Sequence, residues 1–232
     1  MNKFRKLMSY IFRGGDISPP LKTPAYSSEK GDIMSDYFLS LAKKRRTIYA
    51  LGKDIQAPEA EIISTIKEAV KQAPSAFNSQ SSRVVILLGK EHTRFWELTR
   101  EQLKQIVPAE NFQGTSDKVD GFAAAAGSVL FFEDQDVVKT LQEQFAAYAD
   151  NFPVWSEHST GIAQYAVWLA LAEKGIGANL QHYNPLVDDD VRAAWNVPES
   201  WKLRAHMNFG SIVSPAGEKT YIDDDKRFII AK

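Results

Sequence analysis

The sequence predicts a mixed α and β fold in which a sheet carries helices on both faces. Two short apolar runs, RVVILLG at 83–89 and GSVLFFED at 127–134, have the length and the β-branched and aromatic content of buried strands. Longer segments with apolar residues at helical spacing lie around them. The stretch HSTGIAQYAVWLALAEKG at 158–175 is apolar on nearly every face, which predicts a helix buried at the centre of the fold. Alternation of such helices with buried strands requires a sheet covered on both sides.

Taken in order, residues 1–33 stand apart. MNKFRKLMSYIFRGG is basic, and the stretch after it is rich in Pro, Ser and Gly, so a flexible extension is expected before a domain at 34–232. SDYFLSLAKKRR at 35–46 predicts a helix capped by Ser35, with a basic end that suits the helix dipole. APEAEIISTIKEAVKQA at 57–73 places Ile62, Ile63, Ile66, Ala69 and Val70 at helical spacing behind Pro58. After the first strand, EHTRFWELTREQLKQIV at 91–107 reads as an amphipathic helix stopped by Pro108. QDVVKTLQEQFAAYAD at 135–150 is a further helix, and Gly175 caps the apolar one. GANLQHY at 177–183 and LRAHMNFGSI at 203–212 are strands separated by a short helix, DDDVRAAWN, at 188–196.

Composition narrows the function classes. The chain has 232 residues, 44% hydrophobic and 25% charged, enough for one sizeable core. A net charge of −1 argues against a nucleic-acid partner, and no apolar run approaches the roughly 20 residues of a membrane span. There is no cysteine, so thiolate metal sites, disulfides and cysteine nucleophiles are excluded, and redox chemistry requires a bound cofactor. That composition suits a cytoplasmic protein.

Several apparent motifs dissolve on inspection. GIGANL at 175–180 lacks the third glycine of a dinucleotide fingerprint and follows a helix; its glycines are expected to end that helix and begin a strand. The four histidines, at 92, 158, 182 and 206, have no metal-ligand spacing, and no GxSxG elbow accompanies them. The acidic runs at 188–190 and 223–225 are expected to be a helix start and a solvated loop.

Three segments remain. KKRRT at 43–47 is either a solvated helix end or an anion clamp built from adjacent guanidinium groups and Thr47. QAPSAFNSQSSRV at 72–84 is dense in hydrogen-bonding side chains and has no glycine. Asn78 and Gln80, two apart, would face the same side of an extended segment and could read a flat heterocycle with alternating C=O and N–H groups. The serines around them are expected only to satisfy the backbone. GEKTY at 217–221 offers Lys219 in a glycine-led turn.

RRTIY at 45–49, PSAFNSQSSR at 74–83 and NLQHYNP at 179–185, in this order, resemble the flavin-dependent nitroreductase family, in the branch of fatty-acid-repression-mutant type. The resemblance covers roughly residues 35–232. It implies an α+β fold with a central mixed sheet flanked by helices, dimeric with FMN at the subunit interface. Arg45, Arg46 and Thr47 would then hold the FMN phosphate and ribityl chain, with Lys219 closing the phosphate site. Asn78 and Gln80 would bond the flavin ring, while Gln181 and His182 would line it near N5, His182 also being a candidate proton donor. Phe77 and Tyr183 would shape the cavity for small, flat, electron-poor acceptors such as nitroaromatics or quinones, and NADH or NADPH would be the reductant. The alternative within the same resemblance is a flavin-binding regulatory or stress-sensing protein whose reductase activity is incidental.

Overall fold

The computed structural model describes residues 37–232, so the extension 1–33, the start at Met34 and the Ser35 cap lie outside the described residues. The first described helix, α1, covers 37–44. Short strand β1 (Leu51–Gly52) leads to α2 (Glu59–Gln72), which carries Glu59 and Glu61 in its first turn and buries Ile62 and Ile66 one turn apart. Strand β2 (Ser82–Leu88) runs directly into α3 (Gly89–Ile106), whose buried stripe includes His92, Phe95, Trp96 and Leu103. Helix α4 (Phe112–Ala123) returns to β3 (Gly127–Asp134), then α5 (Gln135–Gln144) and the long α6 (Phe152–Glu173) follow. Strand β4 (Gly177–Gln181), α7 (Asp188–Trp195) and β5 (Trp201–Ile212) complete the core before an extended C-terminal segment.

The sheet runs β1-β5-β3-β2, with β4 also on β5, and every strand pair is antiparallel; the parallel contact is a single bridge between Thr47 and Ala178. Strand alternation then divides the core in two. Leu87, Leu130, Phe132 and Leu203 pack on one face against Phe95, Trp96 and Phe122 from α3 and α4. Val129, Phe131, Ala205, Met207 and Phe209 pack on the other against Ile62, Ile66, Val167 and Leu171 from α2 and α6. A register shift opposite Phe131 and Phe132 places Ala205 and Leu203 on opposite faces despite their even spacing. The expected sheet with both faces covered is therefore present.

Four details differ from the sequence reading. Helix α4 was not expected, because Gly114 and Gly121 weaken its pattern; it forms because Val119 and Phe122 bury against the sheet. The helix expected at 135–150 stops at Gln144 and continues as a 3-10 segment, Ala146–Asn151. Helix α6 begins at Phe152, six residues before His158, with Pro153 in its first turn, where a missing N–H costs nothing. It is also not buried all round: Ala163, Val167 and Leu171 face the sheet, whereas Val154, Ile162 and Tyr165 are exposed along one side. Apolar composition on every face therefore reports two surfaces here, one covered within the chain and one not.

Gly175 (φ +72°) follows α6 in the left-handed region, as a helix-ending glycine should. Gly210 is different: a Cβ there would run into the Gly52 carbonyl and approach the Ala126 nitrogen at 3.2 Å, so β1 lies too close to β5 for any side chain. Gly210→Ala is expected to lower the unfolding free energy by about 2–4 kcal/mol. A urea unfolding midpoint equal to wild type would show that the two strands part freely at this point.

Candidate functional site

Arg45, Arg46 and Thr47 leave the end of α1 and run alongside β4. Thr47 bridges Ala178, the Ile48 N–H donates to the Ala178 carbonyl at 2.9 Å, and Asn179 Nδ2 donates to the Ile48 carbonyl at 2.9 Å. These bonds bring RRTIY and NLQHYNP together, although 130 residues separate them. Arg45 lays its guanidinium over Trp168 of α6, 4.5 Å from the ring centroid, and 5.9 Å from that of Tyr165. Both Arg45 Nε and Trp168 Nε1 are buried N–H donors without a hydrogen-bond partner. Two such donors at one place are costly unless an acceptor from outside the chain meets them. Arg46 donates to the Gly217 carbonyl at 2.7 Å, drawing the C-terminal segment to within two residues of Lys219, whose ammonium sits 4.9 Å from the Tyr221 ring centroid.

The polar loop takes a conformation the sequence did not reveal. Ala76–Asn78 is a 3-10 turn, not an extended segment, and Phe77, Asn78 and Gln80 have φ of 57°, 50° and 47°. The two amides therefore do not alternate along a strand. Left-handed backbone at three non-glycine residues is strained, and such strain is retained where the surroundings fix it. Ser75 Oγ accepts from the Gln80 N–H at 2.9 Å. Phe77 packs among Phe145 (4.8 Å), Phe152 (5.3 Å) and Trp155 (6.0 Å), lying nearly parallel to the last.

The serines that follow do more than satisfy backbone groups. Ser81 and Ser156 donate to Glu133 Oε2 at 2.5 and 2.7 Å, and Ser82 donates to Oε1. Glu133 is fully buried, so three hydroxyls from the loop's exit and α6 solvate its carboxylate and fix the loop in place. Beside the loop, Pro74, Phe77, Trp155, His158, Ser159 and Ile162 line a cavity of about 440 Å³. A larger cavity of about 790 Å³ opens between α2 and the start of α3, lined by Lys53, Glu59, Lys90 and Glu97 among others. None of the expected site residues borders it, and its mixed charges single out no ligand.

Gln181 is half-buried at the end of β4, with Nε2 donating to Asn179 Oδ1 at 3.0 Å, and His182 beyond it is exposed. Tyr183 turns inward: its ring packs edge-on to Trp96 at 5.7 Å and lies 6.4 Å from Phe122, against the core, where burial raises its pKa. Beneath this segment His206 Nδ1 lies 3.1 Å from the Gln181 carbonyl, and burial lowers its pKa to about 3.

The structure thus joins Arg45, Arg46, Thr47, Gln181 and His182, with Lys219 nearby. It keeps Phe77, Asn78 and Gln80 apart from them: no hydrogen bond or ring contact among the described residues links the two groups. Trp155 touches the loop and Trp168 touches Arg45, thirteen residues apart on α6, or roughly 20 Å along the helix. Sequence reasoning missed Trp155, Trp168, Asn179 and Glu133. The available signal was polar residues at alternate positions of otherwise buried strands, as at Asn179 and Gln181 or His206 and Asn208.

An antiparallel sheet between two helical layers, with two adjacent arginines on a segment that pairs with a strand ending in Gln and His, defines the class as an α+β protein. The chain belongs to the nitroreductase family, whose model matches residues 42–211. It is 37% identical to putative nitroreductase HBN1 of Saccharomyces cerevisiae over 190 residues, 81% of this chain and 94% of that protein. Nitroreductase FRM2 of the same yeast is 34% identical, with the same coverage. Nitroreductase CinD from Lactococcus lactis, solved in complex with chloramphenicol and with 4-nitrophenol, superposes with a TM-score of 0.78 at 57% identity, covering 84% of this chain and 100% of that one.

Proposed function

We propose that the protein is an FMN-dependent NAD(P)H oxidoreductase that reduces nitroaromatic or quinone-type acceptors, acting as a homodimer with FMN at the subunit interface. The observation that carries this reading is the pair of unpartnered buried donors at Arg45 and Trp168, set beside Arg46 and Thr47: a donor-rich corner that fits a phosphate. Bound there, FMN supplies the two-electron chemistry, taking a hydride from NADH or NADPH and giving electrons to the acceptor. Arg45, Arg46 and Thr47 would hold the phosphate end, and Lys219, on the segment that Arg46 binds through Gly217, would add its charge. Gln181 offers an amide beside the ring, and exposed His182 is within reach of solvent as a source of protons.

Two features support the dimer. Along α6, Val154, Ile162 and Tyr165 form an exposed apolar side that a second copy can cover. The separation of Asn78 and Gln80 from Arg45 in one chain is resolved if the loop of one protomer meets the phosphate corner of the other. The cavity at Phe77 and Trp155 then offers aromatic faces to a flat acceptor. The nitroaromatic compounds bound by the 57% identical CinD support that acceptor class.

The test is direct. Purified protein supplied with FMN and then freed of unbound flavin by gel filtration should be yellow, lose its visible flavin band on anaerobic addition of NADH or NADPH, and regain it with 4-nitrophenol or a quinone. Protein that stays colourless sinks the reading; yellow protein that neither nucleotide bleaches is a flavin sensor instead.

Asn78 gives a sharper check on the loop. Asn78→Ala forfeits the amide and keeps a Cβ in the left-handed region, whereas Asn78→Gly forfeits only the amide. Both are expected to weaken FMN binding about 3- to 10-fold, the worth of one hydrogen bond to a polar ring edge. Wild-type affinity in Asn78→Gly would make the residue a turn former and nothing more.

A further inference from the structure

We propose that Asn179 is a positioning residue that sets which end of the Gln181 amide faces the bound ligand, so that Gln181 presents its carbonyl Oε1 as an acceptor for an N–H or O–H group. The inference rests on the flavin reading above. Asn179 is wholly buried on β4, in a cross-strand row with Asn208 of β5 and Ser128 of β3.

The direction of its amide is determined from both ends. Asn179 Nδ2 lies 2.9 Å from the Ile48 carbonyl, which only accepts, so the NH2 group must point there. Oδ1 then faces Gln181 Nε2 at 3.0 Å and Asn208 Nδ2 at 3.1 Å. Independently, Trp96 Nε1 only donates and lies 3.0 Å from Asn208 Oδ1, with the Ser128 hydroxyl donating to the same oxygen at 2.8 Å. Asn208 must therefore turn its NH2 toward Asn179. The two ends agree, and the row has a single polarity from Trp96 to Ile48.

Gln181 stands at the open end of this row. One of its two N–H donors is taken by Asn179, which leaves Oε1 as the acceptor for whatever lies outside. A glutamine at an exposed strand end without such a partner could present either face, and would not distinguish a donor from an acceptor. The same Asn179 amide grips the carbonyl immediately after Arg45, Arg46 and Thr47. One buried side chain thus orients the ring-facing amide and anchors the phosphate-facing segment.

The test is FMN titration into apoprotein carrying Asn179→Asp or Asn179→Leu at about pH 8 and about pH 6, a range that brackets the raised pKa of a buried carboxyl. A neutral aspartic acid supplies both an O–H donor for Ile48 and a carbonyl for Gln181 and Asn208. Its carboxylate has no donor and sets a charge against the Ile48 oxygen. Asn179→Asp should bind FMN about tenfold or more weakly than wild type at the higher pH and recover to within about threefold at the lower one. Asn179→Leu can do neither and should stay weak at both.

The buried histidines along this row, His92 against Ser128 and His206 against the Gln181 carbonyl, stay neutral throughout the range and are present in the wild-type control. Asn179→Asp keeps an acceptor for Gln181 in both forms, so its pH response reads the Ile48 anchor; Asn179→Leu removes that acceptor, and wild-type FMN affinity in it overturns the proposal. Gln181→Leu, at a half-buried strand end, keeps the question decidable if the position-179 variants do not fold: it should weaken FMN binding about 3- to 10-fold, and unchanged affinity overturns the proposal. Wild-type protein that binds no FMN at all overturns the flavin reading itself, a separate result from wild type binding FMN while Asn179→Leu binds it equally well.

Discussion

Apoprotein carrying Arg45→Ala and Arg46→Ala together is expected to bind FMN roughly 100- to 10,000-fold more weakly than wild type, because each lost charge-assisted bond to phosphate is worth about 1.5–3 kcal/mol. The two arginines contribute by different routes. Arg45 is held rigidly, its guanidinium resting on Trp168 with Nε buried and unpartnered, so its donors are organised before any ligand arrives. Arg46 already donates to the Gly217 carbonyl, so it positions the C-terminal segment as well as offering charge. Arg45→Lys should recover only part of the loss, since an ammonium cannot reproduce a planar fork stacked on an indole. Titration of FMN fluorescence against each apoprotein measures this. Affinity within a few-fold of wild type in the double variant would place the phosphate elsewhere.

Acid is expected to destabilise the apoprotein steeply between about pH 6.5 and pH 4. His92 and His206 are both buried, and burial is the first cause of their lowered pKa values, about 4 and about 3. For His92 the nearby Phe122 and Ala123 carbonyls oppose that shift, and for His206 the Gln181 carbonyl does. In the unfolded chain each titrates near 6.5. Below that value the unfolded chain binds protons that the native one refuses, so stability rises with pH and falls as the solution is acidified. At about pH 5 each histidine should contribute about 2 kcal/mol of lost stability, or about 4 kcal/mol together. That is a large part of the 5–15 kcal/mol typical of a domain. Urea unfolding at about pH 7.5 and pH 5 tests it, and equal free energies at the two would mean that the native state accommodates both protons.

The histidines also show how the interior is tied to the site. His92 Nδ1 meets Ser128 Oγ at 2.9 Å, at the inner end of the polar row that finishes at Gln181, and His206 lies under the Gln181 carbonyl. Protonating either one disturbs the seam that holds the Gln181 amide, so, if Gln181 meets FMN as proposed, loss of FMN on acidification is expected to accompany or precede unfolding.

Local pattern determined a good deal of this protein. The runs at 83–89 and 127–134 are strands because no helix face could bury so many adjacent β-branched and aromatic residues in so short a length. Ile62 and Ile66 specify α2 by their spacing, and Gly175 ends α6 because only glycine takes its φ without strain. The paired arginines and the NLQHYNP segment are contiguous motifs, so they stood out in the sequence before the fold brought them together. Tertiary structure alone decided the rest. Helix α4 forms despite two glycines because the sheet needs Val119 and Phe122, and propensity yields to burial. The left-handed turn at Phe77, Asn78 and Gln80 is imposed by an aromatic cluster from α5 to α6 and by a buried carboxylate 51 residues from Ser82. Trp168 beneath Arg45 and the row from Trp96 to Ile48 depend on strand register and on contacts more than 100 residues apart, which short-range pattern does not encode. Sequence periodicity records which face of an element is apolar; which polar groups meet across the sheet follows only once the strands are in register.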